Sequence, residues 1–271
     1  MKSAKFEHRR MESLNEALSV LGSAEGETRV LGGGQSIGPM MNLRLAQPDQ
    51  LIDLSSVDGL DDILVDGDQL HIGARVTHAR IEDGEVPGIT GEYMKFVAAG
   101  ISYRSVRNRG TIGGSVAHAD PAADWPSALL ALGGDVLVAG QDGERRMSLD
   151  GFQIGPFATG LGYDEILIGF VLPVLGRDAS TGYYKVNRKP GEFADAIGAV
   201  VVGENVRAIC GATKSAPFRV SALEEQLSSG VTELPIAEAR EMITAHDPGF
   251  DDYELQIHAV ALSRAVGRAF S

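Results

Sequence analysis

Only one cysteine, Cys210, occurs in the 271 residues. A lone thiol forms no disulfide within the chain and builds neither an all-cysteine zinc site nor an iron–sulfur cluster from this chain alone, so the expected compartment is the reducing cytoplasm. Positive charge is also short. Lys and Arg number 24 against 37 Asp and Glu, a formal net charge of −13, which argues against a nucleic-acid partner, because such binding rests on neutralising phosphates. Long apolar runs are missing too: no stretch approaches the roughly 18 uncharged apolar residues that would span a bilayer. The basic start, Met1 to Arg10, leads into a segment that carries glutamates and no unbroken apolar run, which is not the pattern of a signal peptide.

Glycine is abundant. The chain has 34, well above a usage of about 7%, and two segments concentrate them. Leu31-Gly32-Gly33-Gly34-Gln35-Ser36-Ile37-Gly38 comes first, and Arg107-Asn108-Arg109-Gly110-Thr111-Ile112-Gly113-Gly114-Ser115 follows much later. Glycine lets backbone N–H groups approach an anion with no Cβ between, so each segment reads as a loop forming half of a pyrophosphate cradle. A plain turn is the alternative for either taken alone.

The length suits several lobes rather than one core. Ser13 and Glu16 resemble a capping box opening a short helix with Leu14, Leu18 and Leu21 on one face, ending at Gly22. A strand over 28–31 leads into the first glycine segment, Pro39 is placed as the first residue of a helical turn, and 50–54 reads as a strand. Asp66-Gly67-Asp68 reads as a hairpin turn before a strand over 69–74, followed by a helical turn capped by Thr77 and a helix from Tyr93 to Gly100. Further on, 125–132 is helical, and 135–139 and 165–173 are strands. The last segment begins at Tyr183-Tyr184-Lys185-Val186 and offers strands over 199–202 and 206–210, a helix over 238–244, and a final helix with a stripe of Leu255, Ala259, Leu262, Val266 and Ala269. The expected division is 1–56, 57–176 and 177–271.

Several motifs invite chemistry. Gly34-Gln35-Ser36-Ile37-Gly38 matches the nucleophile-elbow pattern of serine hydrolases, but it falls far earlier than a large parallel sheet would allow. A dinucleotide fingerprint fails because Ile37 stands where a third small residue is needed. His118, Asp120 and Asp124 suggest a metal site, weakened by the absence of a second nearby histidine. Asp124 reads better as an acceptor for a ligand, as the N-cap of the helix at Trp125, or as both. Arg107 and Arg109 read either as a solvated basic turn or as residues near phosphates or a partner.

Gly33-Gly34-Gln35-Ser36, Leu43-Arg44-Leu45-Ala46, Leu51-Ile52-Asp53-Leu54, Ile72-Gly73-Ala74, the long run from Arg107 to Asp124, and Tyr184-Lys185 with Arg188 to Ala194 together make a pattern. With these in place, the chain resembles the FAD-binding medium subunit of the molybdenum hydroxylases, the family of carbon monoxide dehydrogenase, the bacterial nicotine and caffeine dehydrogenases and the flavin domain of xanthine dehydrogenase. The resemblance implies an α+β fold with a two-subdomain FAD-binding part of the vanillyl-alcohol-oxidase/p-cresol-methylhydroxylase type and a C-terminal α+β domain. It implies a heterotrimer in which a large molybdenum-cofactor subunit hydroxylates the substrate and a small two-cluster iron–sulfur subunit relays electrons to FAD on this chain. From there they pass to an external acceptor. By position, the backbone of Gly32, Gly33, Gly34, Gln35 and Ser36 and of Thr111, Gly113, Gly114 and Ser115 would hold the pyrophosphate. Asp124 would bind the ribityl or adenosine portion, Leu167 would lie against a ring, Lys185 would sit near the isoalloxazine and Phe193 over it. Two departures stand out: Gly32 replaces the usual alanine, and Ser105 the usual glutamine. A free-standing FAD-dependent NAD(P)H reductase and a serine hydrolase using Ser36 are the alternative functions.

Overall fold

The computed structural model describes residues 2–271. Three larger β-sheets follow one another along the described residues, with a separate two-stranded sheet besides. The first contains β1 (Glu7–Arg10), β2 (Thr28–Leu31) and β3 (Gln50–Asp53), all parallel in the order β1-β3-β2. Between them run α1 (Leu14–Gly22) and α2 (Ile37–Asn42). Strand β1 has no apolar alternation and all four of its residues are exposed; its pairing to β3 and the 3.0 Å contact from His8 to Asp53 hold it. Ser13 caps α1 by accepting the Glu16 N–H, but Glu16 reaches back to the N–H of Glu12 rather than that of Ser13, so the reciprocal box is not closed. Helix α2 begins two residues before Pro39, which is its third residue rather than its first.

The second sheet is antiparallel, in the order β4 (Ile63–Asp66), β5 (Gln69–Gly73), β10 (Ile166–Pro173), β6 (Asp135–Gly140), β7 (Gly143–Ser148). Its strands β4 and β5 form the expected hairpin, with Gly67 at φ 61° in the turn. Five helices fill the connection to the next strand: α3 (His78–Glu82), α4 (Gly88–Ala99), α5 (Arg104–Arg107), α6 (Ile112–His118) and α7 (Asp124–Leu132). Helix α4 starts five residues ahead of Tyr93, its N-terminal turn holding two glycines that mask it in the sequence. Then come β6, β7, the small hairpin β8 (Gln153–Gly155) with β9 (Ala158–Thr159), and β10.

The third sheet, β11 (Ser180–Val186), β12 (Ala196–Val202), β13 (Val206–Gly211) and β14 (Phe218–Arg219), is antiparallel in sequence order. It is followed by α8 (Ser221–Ser228), α9 (Ile236–His246) and α10 (Asp252–Ala269). Ala259, Leu262, Val266 and Ala269 of the final stripe are buried, as the periodicity predicts. A Cβ on Gly182 or Gly198 would stand 1.9 or 2.4 Å from a carbonyl oxygen of α10, so glycine lets this helix lie directly on the sheet.

All nine residues of α7 are buried. A helix apolar on every side belongs inside, and α7 packs on α4 and α6 while also touching β12 and β13. The main core accordingly joins Ile72, Met94, Trp125 and Phe170 to Ile197 and Ile209 of the third sheet. A second cluster joins Met11, Ile52 and Leu54 to Ala139 and Ile166. Apolar packing therefore crosses from each sheet to the next.

Candidate cofactor cleft

Where the first two sheets meet, the two glycine segments border a cleft of about 1120 Å³. They touch. A Cβ on Gly33 would fall 1.9 Å from the carbonyl oxygen of Arg109 and 2.8 Å from Cα of Gly110, so only glycine permits the contact. Both segments line the cleft, together with Asp124, Leu167 and Phe193; Lys185 does not.

The two halves differ in chemistry. In the first, the backbone N–H groups of Gly33, Gly34, Gln35, Ser36 and Ile37 have no acceptor among the described residues. They form a consecutive set of donors at the start of α2, the arrangement that binds an anion. Gly34 makes the turn at φ 74°. Ser36 has φ −102° and ψ −54°, ordinary helical backbone, so the strained turn that exposes a hydrolase nucleophile is absent.

The second half is not a loop but the first turns of α6. Thr111 caps it, its Oγ1 accepting the Gly114 N–H at 3.1 Å. Gly113 N–H donates to Ala74 and Ile112 N–H to Val76, and a Cβ on Gly113 would stand 2.5 Å from that of Ala74. These donors are thus already used inside the protein. Gly114 is exposed, and a Cβ there would meet only Thr111 Oγ1. Its missing side chain leaves the cleft open.

Asp124 is the first residue of α7, with Ala123 as the N-cap, which corrects its reading as the cap. Its carboxylate is 5% exposed. Tyr183 donates to it at 2.7 Å, and Lys185 Nζ stands 3.0 Å away while also donating to the Gly100 carbonyl at 2.8 Å. Burial raises the Asp124 carboxyl, opposed by Lys185 and by the Tyr183 hydrogen bond. The pair ties α7 to β11, and Lys185 reaches the cleft only through Asp124 rather than facing it directly.

Leu167 lines the cleft just before a register shift between β10 and β6. Phe193 is 62% exposed at the mouth. The Gly191 carbonyl accepts the Ser102 N–H at 3.0 Å, pinning the loop before Phe193 to the end of α4. Phe157 also lines the mouth, held at φ 56° by donating its N–H to Ala119, itself at φ 52°. Tyr103 and Tyr163 add further exposed rings there. No motif flags these three.

Arg107 is not a solvated turn residue, and it does not line the cleft. It makes a two-point bond to Glu82, both contacts at 2.8 Å, and donates to the carbonyls of Ile101 and Ser102. Arg109 is exposed and contributes its carbonyl to the Gly33 contact. The three candidate metal ligands point to different partners: His118 packs on Phe157 at 5.2 Å, Asp120 accepts the Ala122 N–H, and Asp124 faces Tyr183 and Lys185. Among the described residues no group of three His, Cys, Asp or Glu is placed to hold a metal ion. His78, which no motif flags, lines the cleft and is 6% exposed. Burial, reinforced by the charge of Arg107, lowers its pKa to about 4.

A cleft between a parallel and an antiparallel sheet, with a donor-rich glycine turn on one wall, suits an extended dinucleotide. Comparison with known proteins agrees. Residues 4–175 match the family described as the FAD binding domain in molybdopterin dehydrogenase. The chain belongs to this family as an FAD-binding medium subunit of the molybdenum hydroxylase type, an oxidoreductase component. It is 31% identical over 235 residues to the caffeine dehydrogenase subunit beta of Pseudomonas sp. (strain CBB1), covering 84% of this chain and 79% of that one. It is 39% identical over 192 residues to the nicotine 6-hydroxylase medium subunit of Paenarthrobacter nicotinovorans, covering 70% and 66%. A solved structure of carbon monoxide dehydrogenase from Hydrogenophaga pseudoflava superimposes with a TM-score of 0.91 at 30% identity, covering 100% of this chain and 99% of that one. The mixed α+β architecture is therefore that of a carbon monoxide dehydrogenase medium chain. No helix among the described residues is long and apolar enough to cross a membrane.

Proposed function

We propose that this chain carries FAD in the cleft and is the electron-transfer station of a heterotrimeric molybdenum hydroxylase in the cytoplasm. It takes electrons from the iron–sulfur clusters of a small partner subunit and gives them to an external acceptor, while a large molybdenum-cofactor subunit hydroxylates the substrate. The observation that carries the reading is the run of five unpartnered backbone N–H groups from Gly33 to Ile37 beside a cleft of about 1120 Å³. Such donors suit a pyrophosphate, and the volume accommodates a dinucleotide.

Gly32 to Ser36 would supply the hydrogen bonds to the pyrophosphate. Thr111, Gly113, Gly114 and Ser115 would bring the other wall close, Ser115 adding a hydroxyl. Asp124 would accept from a ribityl or ribose hydroxyl, held for that task by Tyr183 and Lys185. Leu167 and Phe193 would flank the ring system. Bound FAD would accept electrons singly, taking its protons from solvent, and release them in pairs, so the chain needs to bind, orient and shield it. On this reading the first two sheets are the paired subdomains of a vanillyl-alcohol-oxidase/p-cresol-methylhydroxylase type fold, divided as 1–56 and 57–176, and 177–271 is a C-terminal domain.

The test is the visible absorption spectrum of the purified chain and identification of what acid releases from it. FAD at about one per chain, with iron and molybdenum in co-purifying subunits, is the expected result. A chain that takes up no flavin even after incubation with FAD overturns the reading.

A further inference from the structure

Trp125 and His78 are far apart in sequence, yet the indole Nε1–H donates to His78 Nδ1 at 3.0 Å inside the protein. Indole is a donor only. His78 Nδ1 must therefore present its lone pair, and the neutral ring then carries its proton on Nε2. The cationic ring would set one N–H against another. Trp125 is fully buried on α7, and the His78 N–H donates to the Gly110 carbonyl at 2.9 Å, so backbone and ring are both anchored.

The proton-bearing nitrogen is left without a protein acceptor: no hydrogen bond from Nε2 exists among the described residues, although the residue is 6% exposed. Nε2 is not among the fully buried side-chain atoms that lack a partner, so it keeps an opening through which it can meet a ligand. His78 lines the cleft, and its Nε2 edge lies against Gly110, where a Cβ would stand 2.9 Å away. The next residue is Thr111, cap of α6, beside the open face of Gly114. The free donor thus belongs to the wall whose backbone N–H groups are otherwise used internally.

We propose that His78 is a further cofactor-binding residue, its Nε2–H donating to an oxygen of the bound dinucleotide, with Trp125 as the positioning residue that fixes the tautomer. The assignment rests on the FAD reading above. It provides the α6 wall with a neutral side-chain donor opposite the backbone donors of Gly33 to Ile37. The charged group bearing on the imidazole is Arg107 of α5, itself paired with Glu82 of α3.

His78→Asn in the full chain tests this directly. Its amide oxygen can take the place of Nδ1 and accept from Trp125, while nothing replaces Nε2. The expected result is a folded protein whose FAD dissociation constant rises about tenfold or more. Titration with ADP locates the acceptor: an equal loss for ADP assigns it to the ADP half, and unchanged ADP binding with weakened FAD binding assigns the flavin portion. Unchanged FAD affinity in folded His78→Asn overturns the proposal. A second variant, Trp125→Phe, frees Nδ1 to take a proton. Burial and Arg107 still hold the imidazole neutral near pH 7 in this variant, so the change to be read is the tautomer: the imidazole nitrogen NMR shifts of His78 should report Nε2–H alone in the parent and a mixture of the two tautomers in Trp125→Phe. The same mixture in the parent overturns the tautomer lock. A parent protein that binds no FAD removes the FAD reading itself, a result separable from either variant's behaviour.

Discussion

Replacing Gly33 by alanine probes the contact between the two cleft walls. The added Cβ would fall 1.9 Å from the Arg109 carbonyl oxygen, 2.6 Å from its carbon and 2.8 Å from Gly110 Cα. All three are backbone atoms, so no side chain can swing aside, and the walls must part by more than an ångström to regain ordinary contact distance. Overpacking of this kind costs about 1–3 kcal/mol. In a protein of this size that lowers Tm by about 3–10 °C. The separation also takes the free N–H groups of 33–37 away from α6. A ligand at a hundredfold its Kd stabilises by about 2.7 kcal/mol, and this increment should shrink in the variant. Gly114→Ala supplies the contrast: its Cβ would meet a single atom, the Thr111 hydroxyl that caps α6, at 2.8 Å rather than backbone, so the apo chain should lose less than Gly33→Ala does while the FAD increment falls. Gly38→Ala, with nothing within 4 Å of the new atom, should change neither. The assay is differential scanning fluorimetry of apo chains with and without saturating FAD. An apo Gly33→Ala that melts with the parent would refute the contact, and a full FAD increment in Gly114→Ala would refute the open face.

Other outcomes follow from the same geometry. Arg107→Lys gives up the two-point bond to Glu82 and at least one of the carbonyl contacts to Ile101 and Ser102, so urea unfolding should show a loss of about 2 kcal/mol; parity with the parent would make the fork dispensable. Asp124→Ala strands Lys185 in the interior with only the Gly100 carbonyl. Breaking a buried pair costs about 3–5 kcal/mol, and a loss under about 1 kcal/mol by the same measurement would count against it. His78 links stability to pH. Its folded pKa of about 4 lies below the ordinary 6.5, so between those values the unfolded chain binds the extra proton. Stability from this group is complete above about 6.5 and falls by about 1.4 kcal/mol per pH unit on the way down to about 4. His78→Asn should remove that slope, and an unaltered slope in urea titrations would exclude His78 as its source.

Periodicity made much of the scaffold legible. The stripe of α10, the β4–β5 hairpin and the apolar run of β10 all declare themselves because burial on one face or both selects their residues. Strand β1 did not, since Glu7 to Arg10 carries no apolar residue and is a strand only because β3 pairs with it. The start of α6 was hidden for the opposite reason. Gly113 and Gly114 disfavour a helix locally, and the Thr111 cap and the seat of Gly113 on Ala74 override that preference. At the cleft, the glycine segments and Asp124 stand out in the sequence, whereas Leu167 and Phe193 are reached only through the family resemblance. Side-chain partners were not legible: Glu82 for Arg107, Tyr183 and Lys185 for Asp124, and Trp125 for His78 each lie at least 25 residues away. Pairings at such distances leave no local pattern.

The buried bond from Asp124 to Tyr183 and Lys185 also bears on modularity. Both glycine segments and every strand of the first two sheets lie before Pro173, which invites treating that portion as a transferable cassette. Grafted elsewhere without β11, it would carry a carboxylate with neither of its partners and an α7 stripped of Ile197 and Ile209. The chemistry of the cleft thus extends past the sequence that lines most of it, and any chimera that keeps the cleft intact must take the third sheet with it.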